Sequence, residues 1–208
     1  MDPDITEGRY GTVVVGAGGH ARVVVSTLRA AREPVAAVFD DAPQLWDNRL
    51  LGVPIYGPID KLSELKGQTF IRIGNASIRQ TIVNKLQIEW ATVIHPHSFV
   101  DPAVRLGEGS VIFAGALIQP KARIGAHPVV NTSATVDHNC IVEDFVQIAP
   151  GANLCGNVSV GTGTFAGANA VIIENLKNRM LVHRWCRRSC HKQFTGQGRR
   201  HEMSCRNY

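Results

Sequence analysis

No stretch of the 208-residue chain approaches the roughly 20 consecutive apolar residues that a membrane-spanning helix needs. The first nineteen residues lack a basic start followed by a long apolar run, so no secretory leader is expected. Cysteine is scarce: five residues, an odd number, without framework spacing. That pattern excludes a disulfide scaffold and leaves reduced thiols in a cytoplasmic protein as the simplest expectation. Cys186, Cys190, His191 and Cys205 contain no paired CxxC set, so no metal site is expected. Cys140 and Cys155 read as core or turn residues. The net charge of +5 is not spread along the chain either. Residues 1–173 hold 13 Lys and Arg against 15 Asp and Glu, whereas residues 174–208 hold nine against two.

What the sequence does have is a period. Every sixth residue from Ile94 to Ile172 is apolar, and thirteen of these fourteen positions are Val, Ile or Leu. Two residues before each lies a second series that is mostly small, including Ser98, Ser110, Ala116, Ala122, Ala134, Cys140, Ala152, Thr164 and Ala170. No helix repeats every six residues, and a simple strand repeats every two. A six-residue unit with a small partner describes one short strand and one tight turn, and three units close a coil of eighteen residues. Hexapeptide repeats of this kind are the signature of a parallel β-helix. The 20 glycines and 44% apolar content fit many tight turns around a real core.

The preceding ninety residues follow other rules. Thr12 to Val15 reads as a buried parallel strand. It runs into Gly16-Ala17-Gly18-Gly19-His20-Ala21, after which Val23, Val24, Thr27, Leu28 and Ala31 offer one face of a helix. Pro34 ends that helix, Val35 to Phe39 is a second strand, and Asp40 and Asp41 stand just past it. Strand, glycine turn, helix, strand and acid make up the dinucleotide-fold order. Gly16 permits the sharp turn, Gly18 and Gly19 let a bound group approach the backbone, and the helix N-terminus offers free N–H groups to a phosphate. Asp40 or Asp41 can accept from ribose hydroxyls or a base. The unit is too short for a full NAD domain and has no second mononucleotide half, so a nucleotide-sugar or nucleoside diphosphate fits better. A plain turn without a ligand is the alternative. Further on, Gly52 to Gly57 reads as a loop and short strand, Thr69 to Ile73 as a strand ended by Gly74-Asn75, and Ala76 to Leu86 as a helix facing inward through Ile78, Ile82 and Leu86.

GAGGHA in a short Rossmann-like unit, an IGN turn, IHP and then hexapeptide repeats containing NTSATVDHNC resemble the sialic-acid O-acetyltransferase and bacterial sugar N-acetyltransferase family, the NeuD/PglD-like enzymes. The resemblance covers roughly residues 12–176. It implies a Rossmann-like α/β unit (residues 1–90) followed by a left-handed parallel β-helix (residues 91–176), a homotrimer with sites between subunits, acetyl-CoA as donor, and a nucleotide-linked amino sugar or a sialic acid as acceptor. Left-handedness comes from the resemblance, since parallel crossovers are ordinarily right-handed.

The resemblance makes His138 the general base, a role that neutral imidazole suits near pH 7. The family places an acid directly after this histidine; here Asn139 stands there, an amide that can orient the ring but not neutralise it. Asp137 could supply part of the missing charge. The family often has a second histidine nine residues on; here it is Gln147, which can hydrogen-bond the donor but cannot titrate. Asn131 matches an asparagine near the sugar, and Gly156 a glycine whose N–H faces the thioester carbonyl. His20 matches the histidine of the glycine turn, and Gly167 lies with other turn glycines along the coenzyme A groove. His95, His97 and His127 read as turn or surface residues.

Past Ile172 the next inward slot is Asn178, and the apolar period ends. Residues 177–208 carry Arg179, Arg184, Arg187, Arg188, Arg199, Arg200 and Arg206 instead of the family's closing coils. Back-translation in a shifted frame can recover family-like endings in order, so this tail reads as a frameshifted or replaced terminus. The alternative is a basic arm for nucleic acid or anionic lipid. Two further functional readings stay open: O- instead of N-acetylation, and a weak or inactive homologue that binds nucleotide-sugar or scaffolds other enzymes.

Overall fold

The computed structural model describes residues 11–65, 69–71, 75–86 and 88–178. Its first part is a small sheet. Strand β1 (Thr12–Val15) lies parallel to β2 (Val35–Phe39) on one side and to β5 (Thr69–Ile71) on the other; β4 (Val53–Tyr56) extends the sheet beyond β2, and β3 (Arg49–Leu50) pairs with it antiparallel. β1 is buried throughout because both of its faces are covered. Val14 packs with helix α1 (Gly19–Ala30), while Val13 and Val15 pack with Phe39, Ile59 and Leu62 on the opposite face.

Both helices form where the periodicity places them, but each is rotated from its expected face. In α1 the buried residues are Ala21, Val24, Val25, Thr27 and Leu28, and Val23 is 40% exposed. In α2 (Ala76–Lys85), capped by the Asn75 side chain on the N–H groups of Ser77 and Ile78, Ile78 is 49% exposed and Arg79 is buried instead. Leu86, just past the helix, is buried as expected. Arg72, Ile73 and Gly74 lie outside the described residues.

From Val93 onward the chain forms a three-sided parallel β-helix. Fifteen two-residue strands run from β6 (Val93–Ile94) to β20 (Lys177–Asn178). They sort into three five-stranded sheets, β6-β9-β12-β15-β18, β7-β10-β13-β16-β19 and β8-β11-β14-β17-β20. Strands of one sheet are eighteen residues apart, as in Val111↔Val129 and Val129↔Gln147. From Val100 on both sequence series point inward: the sixth-residue slots and the small slots, Cys140 among them, share one core, whereas Ile94, in the end coil, is 41% exposed. Small residues fit there because the corners bring the walls of a narrow prism together. The ladder runs one strand beyond Ile172 and past the expected boundary at residue 176. Ser159↔Lys177 and Val160↔Asn178 pair through the backbone, which needs no apolar side chain, and Leu176 fills a small slot. Residues 179–208, which carry most of the basic tail, lie outside the described residues.

The turns obey a second six-residue rule. From Gly109 to Asn175 every second turn residue has φ between 54° and 69°. Gly or Asn occupies most of these positions, because few other residues adopt that conformation cheaply. The first turn position of the coils, one residue earlier in the period, is proline at 96, 102, 120 and 150. That slot tolerates proline because the ladder does not use its N–H.

The two parts dock. Val93, Val111 and Val129, stacked on the outer face of the first sheet of the β-helix, bury against α1. Burying such side chains stabilises the contact by about 1.5–3 kcal/mol each. A polar clamp accompanies them. Arg79 Nη2 donates to the carbonyl of Phe145 at 2.7 Å, and burial pushes this guanidinium down to about 10. His127 stacks on Phe145 with ring centroids 5.0 Å apart and meets Trp90 edge-on. His127 is therefore a turn residue, as expected, but a buried one and not a surface one.

Candidate active site

His138 occupies the first turn position after β13 (Thr135–Val136), so its side chain leaves the coil at the edge between the second and third sheets. The residue is exposed, and its own N–H donates to Asp137 Oδ1 at 2.7 Å. Asn139 follows at φ 59°, a conformation asparagine tolerates, and its amide Nδ2 lies 3.1 Å from His138 Nδ1. Asn139 thus holds one edge of the ring. Asp137, expected to lend charge to the imidazole, also caps the turn through its hydrogen bond from the His138 N–H.

One coil above, eighteen residues on, stands Gly156. A Cβ there would lie 2.6 Å from His138 Cε1 and 2.7 Å from Nε2, so no side chain fits beneath the ring. Among the described residues the Gly156 N–H has no hydrogen-bond partner. Its slot is one the ladder leaves open. Elsewhere a side chain fills the vacancy: Asp144 at Ala126, Asn131 at Thr132 and Glu143 at Thr162. Nε2 of His138 is likewise unpaired among the described residues. A ring nitrogen and a backbone N–H, both unpaired among the described residues, therefore stand on neighbouring coils at one edge of the prism.

The other expected residues gather at a different edge. Asn131 follows β12 (Val129–Val130) and Gln147 lies in β15 (Gln147–Ile148), both in the first sheet. Asn131 Oδ1 accepts the Thr132 N–H at 2.9 Å, but among the described residues its buried Nδ2 has no partner, and neither has buried Gln147 Oε1. Gly167 belongs to the same edge, two coils above Asn131. The glycine turn is near it, since Ala17 and Ala21 share a packed cluster with Phe113 and Val129. Gly16 has φ 94°, as the sharp turn requires. Gly18 and Gly19 have open space above them. Gly18 caps α1 without a side chain, the first turn carries no acid, and His20 stands in that first turn, half-buried. These features leave positive helix-end potential facing outward.

The two aspartates serve the local backbone. Asp40 Oδ2 accepts the Ala17 N–H at 2.7 Å and Oδ1 the Ala42 N–H at 2.9 Å, which ties β2 to the glycine turn. Asp41 Oδ1 accepts the Ile59 N–H at 2.8 Å. Each oxygen named keeps one lone pair for a ligand. The Cys140 and Cys155 thiols are pushed up by burial, and Cys140 donates to the Cys155 carbonyl, so both read as structural. No group of His, Cys, Asp and Glu suited to a metal occurs among the described residues, and no helix among them is long and apolar enough to cross a membrane.

Residues 12–86 match the family model described as the PglD N-terminal domain. The chain is 31% identical over 125 residues to GDP-perosamine N-acetyltransferase of Escherichia coli O157:H7, covering 59% of this chain and 57% of the relative. It is 36% identical over 111 residues to UDP-N-acetylbacillosamine N-acetyltransferase of Bacillus subtilis (strain 168), covering 49% and 50%. The chain thus spans about half the length of the curated relatives it matches. Among solved structures, PerB from Caulobacter crescentus, crystallised with CoA and GDP-perosamine, superposes with a TM-score of 0.75 at 37% identity, covering 80% of this chain and 82% of that one. The acetyltransferase domain of PglB from Neisseria gonorrhoeae FA1090, in complex with acetyl coenzyme A, superposes at 0.67 with 30% identity, covering 82% and 88%.

Proposed function

The chain belongs to the bacterial sugar N-acetyltransferase family, a Rossmann-like unit on a left-handed β-helix, and from that premise we propose that it transfers an acetyl group from acetyl-CoA to the amine of a nucleotide-linked amino sugar. The observation that carries this reading is the unpaired His138 Nε2 beside the unpaired Gly156 N–H. His138 takes the proton from the attacking amine as its nitrogen bonds to the thioester carbonyl carbon. Negative charge forms on the carbonyl oxygen, and the Gly156 N–H donates to it. The tetrahedral centre collapses, the carbon–sulfur bond breaks, and coenzyme A leaves as a thiolate that the imidazolium can protonate. For Nε2 to accept, Nδ1 must carry the ring proton, so Asn139 presents Oδ1 to it. A half-rotation of the amide exchanges its donor and acceptor and leaves the geometry unchanged.

Acceptor residues and base stand on two edges of one prism. Gly16, Gly18, Gly19, His20 and Asn131, with Asp40 and Asp41 behind the turn, flank the first edge, and His138 and Gly156 occupy the second. One chain does not join these edges; a neighbouring copy laid edge to face does. That split supports a homotrimer in which the nucleotide-sugar held by one subunit meets the base of the next, with Gln147 and Gly167 along the coenzyme A groove. Acetyl-CoA and nucleotide sugars are cytoplasmic metabolites, and the reading places the protein with them, serving surface-glycan synthesis.

Thiol release from acetyl-CoA with a panel of GDP- and UDP-linked amino sugars tests the proposal. An N-acetylated product and a loss of about 10²–10⁴-fold in kcat for His138→Ala with acceptor binding intact are expected. The absence of thiol release with every sugar favours the binding-only homologue, the reading that Asn139 in place of an acid keeps alive.

A further inference from the structure

A groove of about 490 Å³ opens on the flank of the β-helix next to His138. Two columns line it. Ala103, Lys121 and Asn139 stack at the second turn position of successive coils, and Arg105, Arg123 and Ile141 stack on the outer face of the third sheet. Asn139 is the residue that touches the His138 ring, so the groove begins at the site already described. Ile141 ends its basic column.

Two choices in this groove work against the fold. Arg105 and Arg123 are direct cross-strand neighbours, about 4.8 Å apart along the ladder, and like charges so placed repel. Lys121 sits at φ 63°, where the coil otherwise favours glycine or asparagine. Of the other exceptions, His127 and Phe145 are accounted for by their stack beneath α2 and Ser133 is small; Lys121 has neither that packing nor a short side chain. Among the described residues these three cations form no ion pair. Of the acids nearest along the chain, Glu108 faces His127, and Asp101 and Asp137 each place an oxygen on a turn N–H. Repulsion and backbone strain left uncompensated in the free chain mark a site that an anion completes.

We propose that the groove of Arg105, Lys121 and Arg123 binds the diphosphate of a substrate and so positions its reactive end at His138. Guanidinium forks pair with phosphate oxygens in bidentate fashion, and the lysine adds a point charge from the next column. The groove is short and of small-molecule volume, which favours a diphosphate ester over a polynucleotide. Both substrates of the proposed reaction carry a diphosphate, the nucleotide-sugar and coenzyme A. The assignment rests on the acyl-transfer reading above.

Calorimetric titration of the full chain with coenzyme A, GDP and UDP, at about 50 and 200 mM salt, tests it on the wild type, Lys121→Asn and Arg123→Gln. Each variant is expected to weaken one kind of ligand about tenfold or more and to flatten its salt dependence. A loss confined to coenzyme A assigns the groove to the donor, and a loss confined to GDP or UDP assigns it to the acceptor. Lys121→Asn, which relieves the strained turn, is also expected to raise Tm, so weaker binding cannot be put down to misfolding. Unchanged affinities in both variants overturn the groove alone. So does a changed oligomeric state in sedimentation, which would assign the cations to ion pairs with a second copy. A wild type that binds none of the three ligands overturns the functional reading together with the groove.

Discussion

The imidazole of His138 rests on the backbone of Gly156, one coil above it, so closely that a methyl group at position 156 would fall within 2.7 Å of the ring. One contact thereby sets the height of the ring against the coil that carries the Gly156 N–H. Gly156 is not among the positive-φ glycines, so the need for glycine here is steric and not conformational. Gly156→Ala should therefore fold with little loss of stability while pushing the ring off its seat. The expected result is a fall of about 10²–10³-fold in kcat, the scale of losing an oxyanion donor or its alignment. Steady-state kinetics together with a coenzyme A titration checks it. Wild-type turnover would remove Gly156 from the site.

Asn139 offers the opposite experiment. Its position demands a left-handed residue, which aspartate tolerates almost as well as asparagine. Asn139→Asp puts a carboxylate against Nδ1, where it favours the protonated imidazole and fixes the tautomer with Nε2 free. A charge-assisted hydrogen bond exceeds a neutral one by about 1 kcal/mol, or roughly fivefold in rate if it acts in the transition state. The variant should raise kcat at alkaline pH by about that factor and move the acidic limb of the pH–rate profile upward. A profile that does not move would show that Asn139 serves the turn alone.

Arg79 tests how the two parts hold together. Its guanidinium is 1% exposed and donates across the junction to the Phe145 carbonyl, at the turn that carries the His127 stack. Arg79→Met keeps most of the volume but leaves that carbonyl without its donor. A loss of about 1–3 kcal/mol is expected, the cost of stranding a buried polar group. Urea unfolding followed by Trp90 fluorescence reads it at the junction itself. A loss no larger than that of an exposed substitution such as Arg49→Met would mean the junction is held by the valine column alone.

The β-helix was legible because its rule is local. Each hexad points its sixth residue and a small partner inward, whatever the rest of the chain does. The left-handed turn column was less legible, because Lys121, His127, Ser133 and Phe145 interrupt its run of Gly and Asn. The burial of Arg79 was not legible. Ile78, Ile82 and Leu86 spell an apolar face, and only the β-helix, sixty-six residues on, decides that the neighbouring face is the one covered. His138 could be found from its turn, but its grouping could not be found from proximity in sequence. Asn131 is seven residues away and stands on another edge, whereas Gly156 is eighteen away and touches it. The phase within an eighteen-residue coil is the signal that sorts them. Asp40 shows the limit of a motif: the acid stands where the dinucleotide pattern puts it, yet its carboxylate holds the glycine turn.

The buried histidine at the junction gives the stability a pH dependence with a definite sign. Burial, and secondarily the nearby Arg79, lower the His127 pKa below its ordinary value, while Glu108 and Asp144 oppose the shift. The unfolded chain therefore binds a proton near pH 6.5 that the folded chain refuses until a lower pH. Between those two values the unfolded state holds more protons, so stability rises with pH and is lost as pH falls from about 6.5 toward the depressed value. His95, lowered by burial and by His97, adds to the same slope. His127→Asn removes the titrating ring and suits the φ of 56° at that turn. The wild type should lose Tm steadily from pH 7 to pH 5, and the variant should lose less over the same interval, even if the missing stack on Phe145 lowers its Tm at pH 7. Parallel curves for the two proteins would place the acid sensitivity elsewhere, with His95 as the next ring to replace.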